Sequence, residues 1–169
     1  GIAGGADIIL LPEQPYDIDR VCAAVERRAR KGSNFSIIAV AEGAINTEEA
    51  RMKRKEWMAK RAEAGYGVTA TNRIAAAVQK KTGMETRVCI PGHMQRGGTP
   101  VPYDRVLSTR IGAHAADMIK NNEFGKLVVV KNNVITDIPL AESAGKLKYV
   151  DPQSDIVKEA KLIGISFGD

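Results

Sequence analysis

Several things are scarce in this chain, and each scarcity removes a class of protein. Cysteine is limited to Cys22 and Cys89. Each sits in an apolar-periodic segment, so neither a disulfide framework nor a thiolate metal site is expected, and a reducing cytoplasm suits the chain. Aromatic residues make up 5%, too few for the stacked platforms that bind single-stranded nucleic acid. No apolar run approaches the ~18 residues that suggest a membrane span, and no signal peptide is expected. Neither nucleic acid nor a membrane is therefore expected as a partner. The sequence starts at Gly1-Ile2-Ala3-Gly4-Gly5 without a methionine, as a piece of a longer protein would.

What is present is ordinary in bulk and particular in one place. With 169 residues, 44% of them hydrophobic and 27% charged, the chain can build a real core. The net charge of +5 suits an anionic small molecule as well as it suits a polyanion. Arg87, His93 and Arg96 lie within ten residues. They belong to the segment Arg87-Val-Cys-Ile-Pro-Gly-His-Met-Gln-Arg-Gly-Gly98, expected to run as a strand over 86–90 and then turn. Guanidinium forks match phosphate oxygens, an imidazole adds a hydrogen bond, and the glycines let backbone approach a ligand closely. The same segment also reads as a basic surface loop with solvated charges.

Apolar runs at 6–11 and 35–41 read as buried strands, parallel to each other and to 86–90 because helical segments separate them. Helices are expected over 17–31, 47–64 and from Thr69 or Thr71 to about Lys81, with Gly32, Gly65-Tyr66-Gly67 and Gly83 as breaks. Glu42 follows the second strand, at the edge where open parallel sheets bind ligands. The helix over 47–64 is strongly basic and reads as a solvated face. A longer helix over 103–121 turns Val106, Leu107, Ile111, Ala115, Met118 and Ile119 inward, and its His114 reads as structural. Residues 126–130 and 134–138 alternate around Asn132-Asn133, a hairpin signal. Short helical pieces at 141–144 and 154–163 follow. The fold class is α/β: a three-layer arrangement of parallel sheet with helices on both faces, plus a C-terminal hairpin and short helices.

Several segments then occur in a telling order: Gly4-Gly5-Ala6-Asp7, Pro12-Glu13, Ile38-Ala39-Val40-Ala41-Glu42-Gly43, Glu85-Thr86-Arg87, Gly92-His93-Met94-Gln95-Arg96-Gly97-Gly98-Thr99-Pro100 and Tyr103-Asp104-Arg105-Val106-Leu107-Ser108-Thr109-Arg110. Together they resemble the C-terminal half of 6-phosphofructokinases, over about residues 1–138. Phe124-Gly125-Lys126 and Pro139-Leu140-Ala141-Glu142 are similar to the branch with both ATP-dependent and pyrophosphate-dependent members. The resemblance implies a cytoplasmic glycolytic transferase that phosphorylates fructose 6-phosphate to fructose 1,6-bisphosphate with ATP, or with pyrophosphate. It implies that Glu42 hydrogen-bonds the sugar hydroxyls and that His93 and Arg96 hold the 6-phosphate. Arg87 would reach the 6-phosphate of an adjacent subunit in a homo-oligomer, a dimer or tetramer.

The family's glycine-rich donor loop and its Thr-Ile-Asp-x-Asp segment have no counterpart here. No catalytic residue and no metal ligand is therefore expected within this chain, and Mg2+ with the donor would belong to a missing N-terminal half. Residues 1–100 would form the sugar-phosphate-binding domain, and 101–169 would cross back to that half before the tail. Control by a nucleotide effector is not expected. Ser33 and Asn34 stand where related enzymes carry lysines, and Asp7 stands in place of a glutamate that helps hold effector magnesium. A non-catalytic sugar-phosphate-binding or assembly domain is the alternative of another class.

Overall fold

The structure, a computed structural model, describes residues 1–63 and 69–169, without the side chains of Arg54 and Arg61. In chain order the elements are β1 (Ile8–Leu10), α1 (Ile18–Arg30), β2 (Ile38–Val40), α2 (Arg54–Glu63), α3 (Ala70–Thr82), α4 (Pro102–Lys120), β3 (Lys126–Lys131), β4 (Val134–Pro139), α5 (Leu140–Ser143) and α6 (Asp155–Leu162). They form two compact units, Gly1–Cys89 with Tyr149–Asp169, and Ile90–Lys148. Among the described residues no helix is long and apolar enough to cross a membrane.

The first unit is built on β1. Successive strand residues point to opposite faces, and β1 uses both. Ile8 and Leu10 join Val21, Val25, Ile74 and Val78 in one core cluster, so α1 and α3 cover that face. Ile9 and Leu11 pack instead against Val157, Ala160 and Phe167, so α6 and the chain's end cover the other. Fully burying side chains such as Ile8 and Leu10 contributes roughly 1.5–3 kcal/mol each. β2 pairs with β1 in parallel, Ile8 opposite Ile38 and Leu10 opposite Val40. On the other edge of β1, Ile9 N–H donates to Ser166 O and Ser166 N–H donates to Asp7 O, a parallel bridge.

Local chemistry sets the helix ends. Asp17 caps α1 by accepting from Asp19 N–H at 2.8 Å, and Arg27, Arg28 and Arg30 fill its last turn against the helix dipole. Thr69 caps α3 through Asn72 N–H at 3.2 Å, and Gly83 ends it at φ +70°, a conformation that glycine tolerates.

Two expectations are corrected. The single helix over 47–64 is broken in its described part. Glu49–Arg51 form a 3-10 turn, Met52 is extended at ψ 149°, and α2 begins only at Arg54. The short turn is capped at its start by Glu49, whose side chain accepts the Asn46 N–H at 3.0 Å while Asn46 Oδ1 accepts the Glu49 N–H at 2.7 Å. Ala64 and the Gly65-Tyr66-Gly67 break lie outside the described residues. Residues 86–90, expected as a third parallel strand, are not in a strand. Thr86 is latched onto α3: its hydroxyl donates to Ala75 O at 3.2 Å and its N–H to Gln79 Oε1 at 3.3 Å. Such local bonds compete with a ladder, and Val88 and Ile90 stay exposed. The third parallel partner of the sheet comes from Ser166.

The second unit is α4 packed on the hairpin of β3 and β4. The hairpin pairs from Lys126 opposite Pro139 to Lys131 opposite Val134. Asn132 and Asn133 turn at φ 51° and 62°, the left-handed pair of a type I′ turn. On α4, Met118 is buried and Leu107, Ile111 and Ala115 are partly covered. Val106 and Ile119, expected on the inward face, are exposed instead.

Candidate functional site

Glu42 is placed by the sheet. Ala41 N–H extends the ladder by donating to Leu10 O at 3.0 Å, and Ala44 N–H closes a turn onto Ala41 O at 2.9 Å. Gly43 lies in that turn against Pro12, which follows β1; a Cβ there would sit 3.2 Å from the proline ring. Glu42 therefore stands, exposed, at the carboxyl edge of two parallel strands. This is where such sheets present ligand-binding groups.

The turn continues into a buried cluster. Tyr16 N–H donates to Ile45 O at 3.1 Å, and Thr47 N–H donates back to Tyr16 O at 3.0 Å. Glu49, buried at 9% exposure, pairs with Arg73 Nη2 of α3 at 3.3 Å. Burial pushes the Tyr16 phenol up from its ordinary range, and the Glu49 charge adds to the push. The cluster is not among the site residues expected from the sequence. Its signal was legible, an Asn three residues before a Glu, the spacing of reciprocal capping.

Arg87 belongs to the first unit as well. It is exposed, and its Nε donates to Glu85 Oε1 at 3.0 Å. It lines a groove of about 530 Å³ with Ile38, Val40, Val78, Met84 and Val88.

His93 and Arg96 lie in the second unit, on one 3-10 turn, His93–Arg96, between Gly92 and Gly97. Three residues per turn brings positions i and i+3 to the same side, so imidazole and guanidinium share a face. Both are exposed, and among the described residues neither has a hydrogen-bond or ion-pair partner. Gly98 follows at φ +87°, where a side chain would be strained. The arrangement can offer an anion a guanidinium fork and an imidazole donor together. The structure thus brings His93 and Arg96 together on one turn and places Glu42 and Arg87 at separate points of the other unit.

His114 is half-buried on α4, its Nε2 3.4 Å from Asp137 Oδ1, with the donor set by the tautomer. Asp137 also takes Lys126 Nζ at 3.0 Å. Among the described residues no three His, Cys, Asp or Glu side chains gather as a metal site.

The fold and this loop define a parallel α/β protein bearing a paired imidazole and guanidinium on a glycine-flanked turn. The chain belongs to the phosphofructokinase family, whose family model, Phosphofructokinase, matches residues 1–119. It is 44% identical over 169 residues to an ATP-dependent 6-phosphofructokinase of Spirochaeta thermophila, covering all of this chain and 46% of that protein. It is 39% identical over 172 residues to a pyrophosphate–fructose 6-phosphate 1-phosphotransferase of Streptomyces coelicolor, covering 99% of this chain and 47% of that protein. Among solved structures, phosphofructokinase from Saccharomyces cerevisiae aligns with a TM-score of 0.62 at 32% identity, over 82% of this chain and 17% of that one. A pyrophosphate-dependent phosphofructokinase from Nitrosospira multiformis shares the fold, with a TM-score of 0.68 at 15% identity, over 96% of this chain and 41% of that one. The chain spans about half the length of the curated relatives it matches.

Proposed function

We propose that this chain supplies the fructose 6-phosphate-binding part of an ATP-dependent 6-phosphofructokinase, a glycolytic enzyme that phosphorylates the sugar 1-hydroxyl. The observation that carries this reading is the His93–Arg96 turn, with both groups exposed on one face inside the residues matched by the family. In this reading His93 and Arg96 hold the 6-phosphate, Glu42 accepts from the sugar hydroxyls, and Arg87 reaches the 6-phosphate in a neighbouring copy of a cytoplasmic homo-oligomer. Binding energy spent on the remote phosphate fixes the reacting hydroxyl. The donor, its Mg2+ and the base that takes the hydroxyl proton are held by the remainder of a protein of the relatives' length. Residues 101–169 cross to that remainder and then return as the C-terminal tail.

Arg96→Ala in that full-length protein tests the site. A charge-assisted hydrogen bond contributes ~1.5–3 kcal/mol, so KM for fructose 6-phosphate should rise about 10- to 100-fold. An unchanged KM and kcat would remove Arg96 from the site. Arg87→Ala should raise the same KM only where subunits assemble.

A second donor is favoured by one observation, the likeness to the Streptomyces coelicolor pyrophosphate-named enzyme. Coupled assays with ATP and with pyrophosphate separate the two. Fructose 6-phosphate binding with turnover from neither donor would instead leave a non-catalytic binding or assembly domain.

A further inference from the structure

Glu49 is a buried carboxylate that the reading above does not use, and both of its oxygens are committed. Oε2 accepts the Asn46 N–H at 3.0 Å. Oε1 accepts from Arg73 Nη2 at 3.3 Å. The first bond holds loop backbone four residues after Glu42, and the second holds α3, whose Ile74 and Val78 are set in the core. A carboxylate taken out of water is costly unless it is paired and hydrogen-bonded. One that joins a loop to a helix with both oxygens therefore fixes the loop strongly.

The anchoring of the Glu42 turn can be followed bond by bond. Its upstream end is tied to β1 by Ala41 N–H to Leu10 O at 3.0 Å. Its downstream end enters the core at Ala44, fully buried, and then crosses Tyr16 by the Ile45 and Thr47 backbone bonds. Beyond that bridge the loop is held by the mutual capping of Asn46 and Glu49. Glu49 and Arg73 form an ion pair between this loop and α3.

We infer that the Glu49–Arg73 pair is a positioning device for the sugar-binding carboxylate: it clamps residues 44–49 onto α3 and so fixes where Glu42 stands. Neither residue touches substrate in this scheme. The inference rests on the proposed role of Glu42. It makes acceptor affinity depend on a part-buried pair behind the loop, and leaves donor affinity independent of it.

The test is made in the full-length protein with Glu49→Gln, Arg73→Lys and, in parallel, Glu42→Gln. Glutamine keeps the volume and one acceptor for Asn46 N–H but turns an amide toward Arg73. A misplacement of about 1 Å can cost up to 10²-fold, and the clamp predicts a rise of about tenfold in KM for fructose 6-phosphate with Glu49→Gln. KM for the phosphoryl donor should stay unchanged. Arg73→Lys keeps a cation opposite Glu49 and should recover most of the lost acceptor affinity. Hydrogen exchange, read without turnover, should quicken at residues 44–47 in Glu49→Gln and not in Arg73→Lys. A melting curve establishes that each variant is folded at the assay temperature. Should Glu49→Gln fold too poorly to assay, Arg73→Gln removes the same pair from the other side and must show the same split.

If acceptor KM and loop exchange stay native in Glu49→Gln while Glu42→Gln loses acceptor affinity, the clamp is wrong and the site stands. A lowered melting temperature with both KM values native likewise overturns it, leaving a pair that only stabilises the fold. If Glu42→Gln itself leaves acceptor KM unchanged, the site reading fails and the clamp falls with it.

Discussion

Asp7 shows how completely one side chain can be spent on architecture. Its Oδ1 takes Arg28 Nη2 at 2.9 Å and its Oδ2 takes the Ile37 N–H at 2.8 Å. It therefore ties β1, α1 and the entry to β2 at one point. Arg28 Nε also donates to Ser36 Oγ at 3.2 Å. Asp7→Ala leaves the Ile37 N–H and the guanidinium without that partner, and should lower stability by roughly 1–3 kcal/mol in chemical denaturation. A second residue sets a pH dependence. The hydrogen bond from Lys126 holds the Asp137 carboxyl below its ordinary value of 3.8, against an opposing push from desolvation and with a smaller contribution from His114. A depressed folded-state value means that the stabilisation is present above the unfolded carboxylate range and is lost as the pH falls through the folded value. Acid titration should therefore loosen the α4–hairpin unit below about pH 4, and Asp137→Asn should remove that part of the acid dependence. A hairpin signal in NMR equally acid-sensitive in both proteins would exclude Asp137 as the group.

Among the elements, the hairpin is the cleanest case of sequence dictating structure. Asn132 and Asn133 both take left-handed backbone, where a β-branched side chain is strained. Asn133→Val should cost about 1–2 kcal/mol and Asn133→Gly should be tolerated, read from thermal melts. The same directness holds for α1 and α3, whose ends follow from Asp17, Thr69 and Gly83. β1 was legible as a short apolar run buried on both faces, whereas the run at 35–41, expected as a buried strand, gives β2 only over Ile38–Val40, half-buried, with Phe35 and Ile37 exposed. The stretch at 86–90 was not legible. Its alternation is strand-like, but Thr86 spends its hydrogen bonds on Ala75 and Gln79 of α3, a choice that depends on where α3 packs. Of the candidate site, the residue types and the shared turn of His93 and Arg96 could be read from spacing. The clamp behind Glu42 could not, because it joins segments that only the tertiary fold brings together.

For the whole molecule, the second unit leaves apolar surface in water. Val106 is 60% exposed, Ile119 63%, Phe124 69% and Val134 61%. Apolar side chains so exposed favour an interface or aggregation, and in the proposed longer protein they would be buried. The isolated chain should therefore self-associate, seen as a sedimentation coefficient that rises with concentration; a monomer across the whole range would refute this. The sheet carries a separate consequence, for synthesis on the ribosome. β1 is translated well before Ser166, which completes its edge, and before Phe167, buried in the cluster that Ile9 joins. Domains commonly fold in the order in which they are made. Here the order is inverted. The α4–hairpin unit, whose partners are neighbours in sequence, can form on the nascent chain. The unit that contains β1 must wait for Ser166 and Phe167 to be translated. Until then β1 offers a bare strand edge, the kind of template on which other chains pair. A ribosome stalled after Lys148 would thus release a protein with its later unit finished and its earlier one still open.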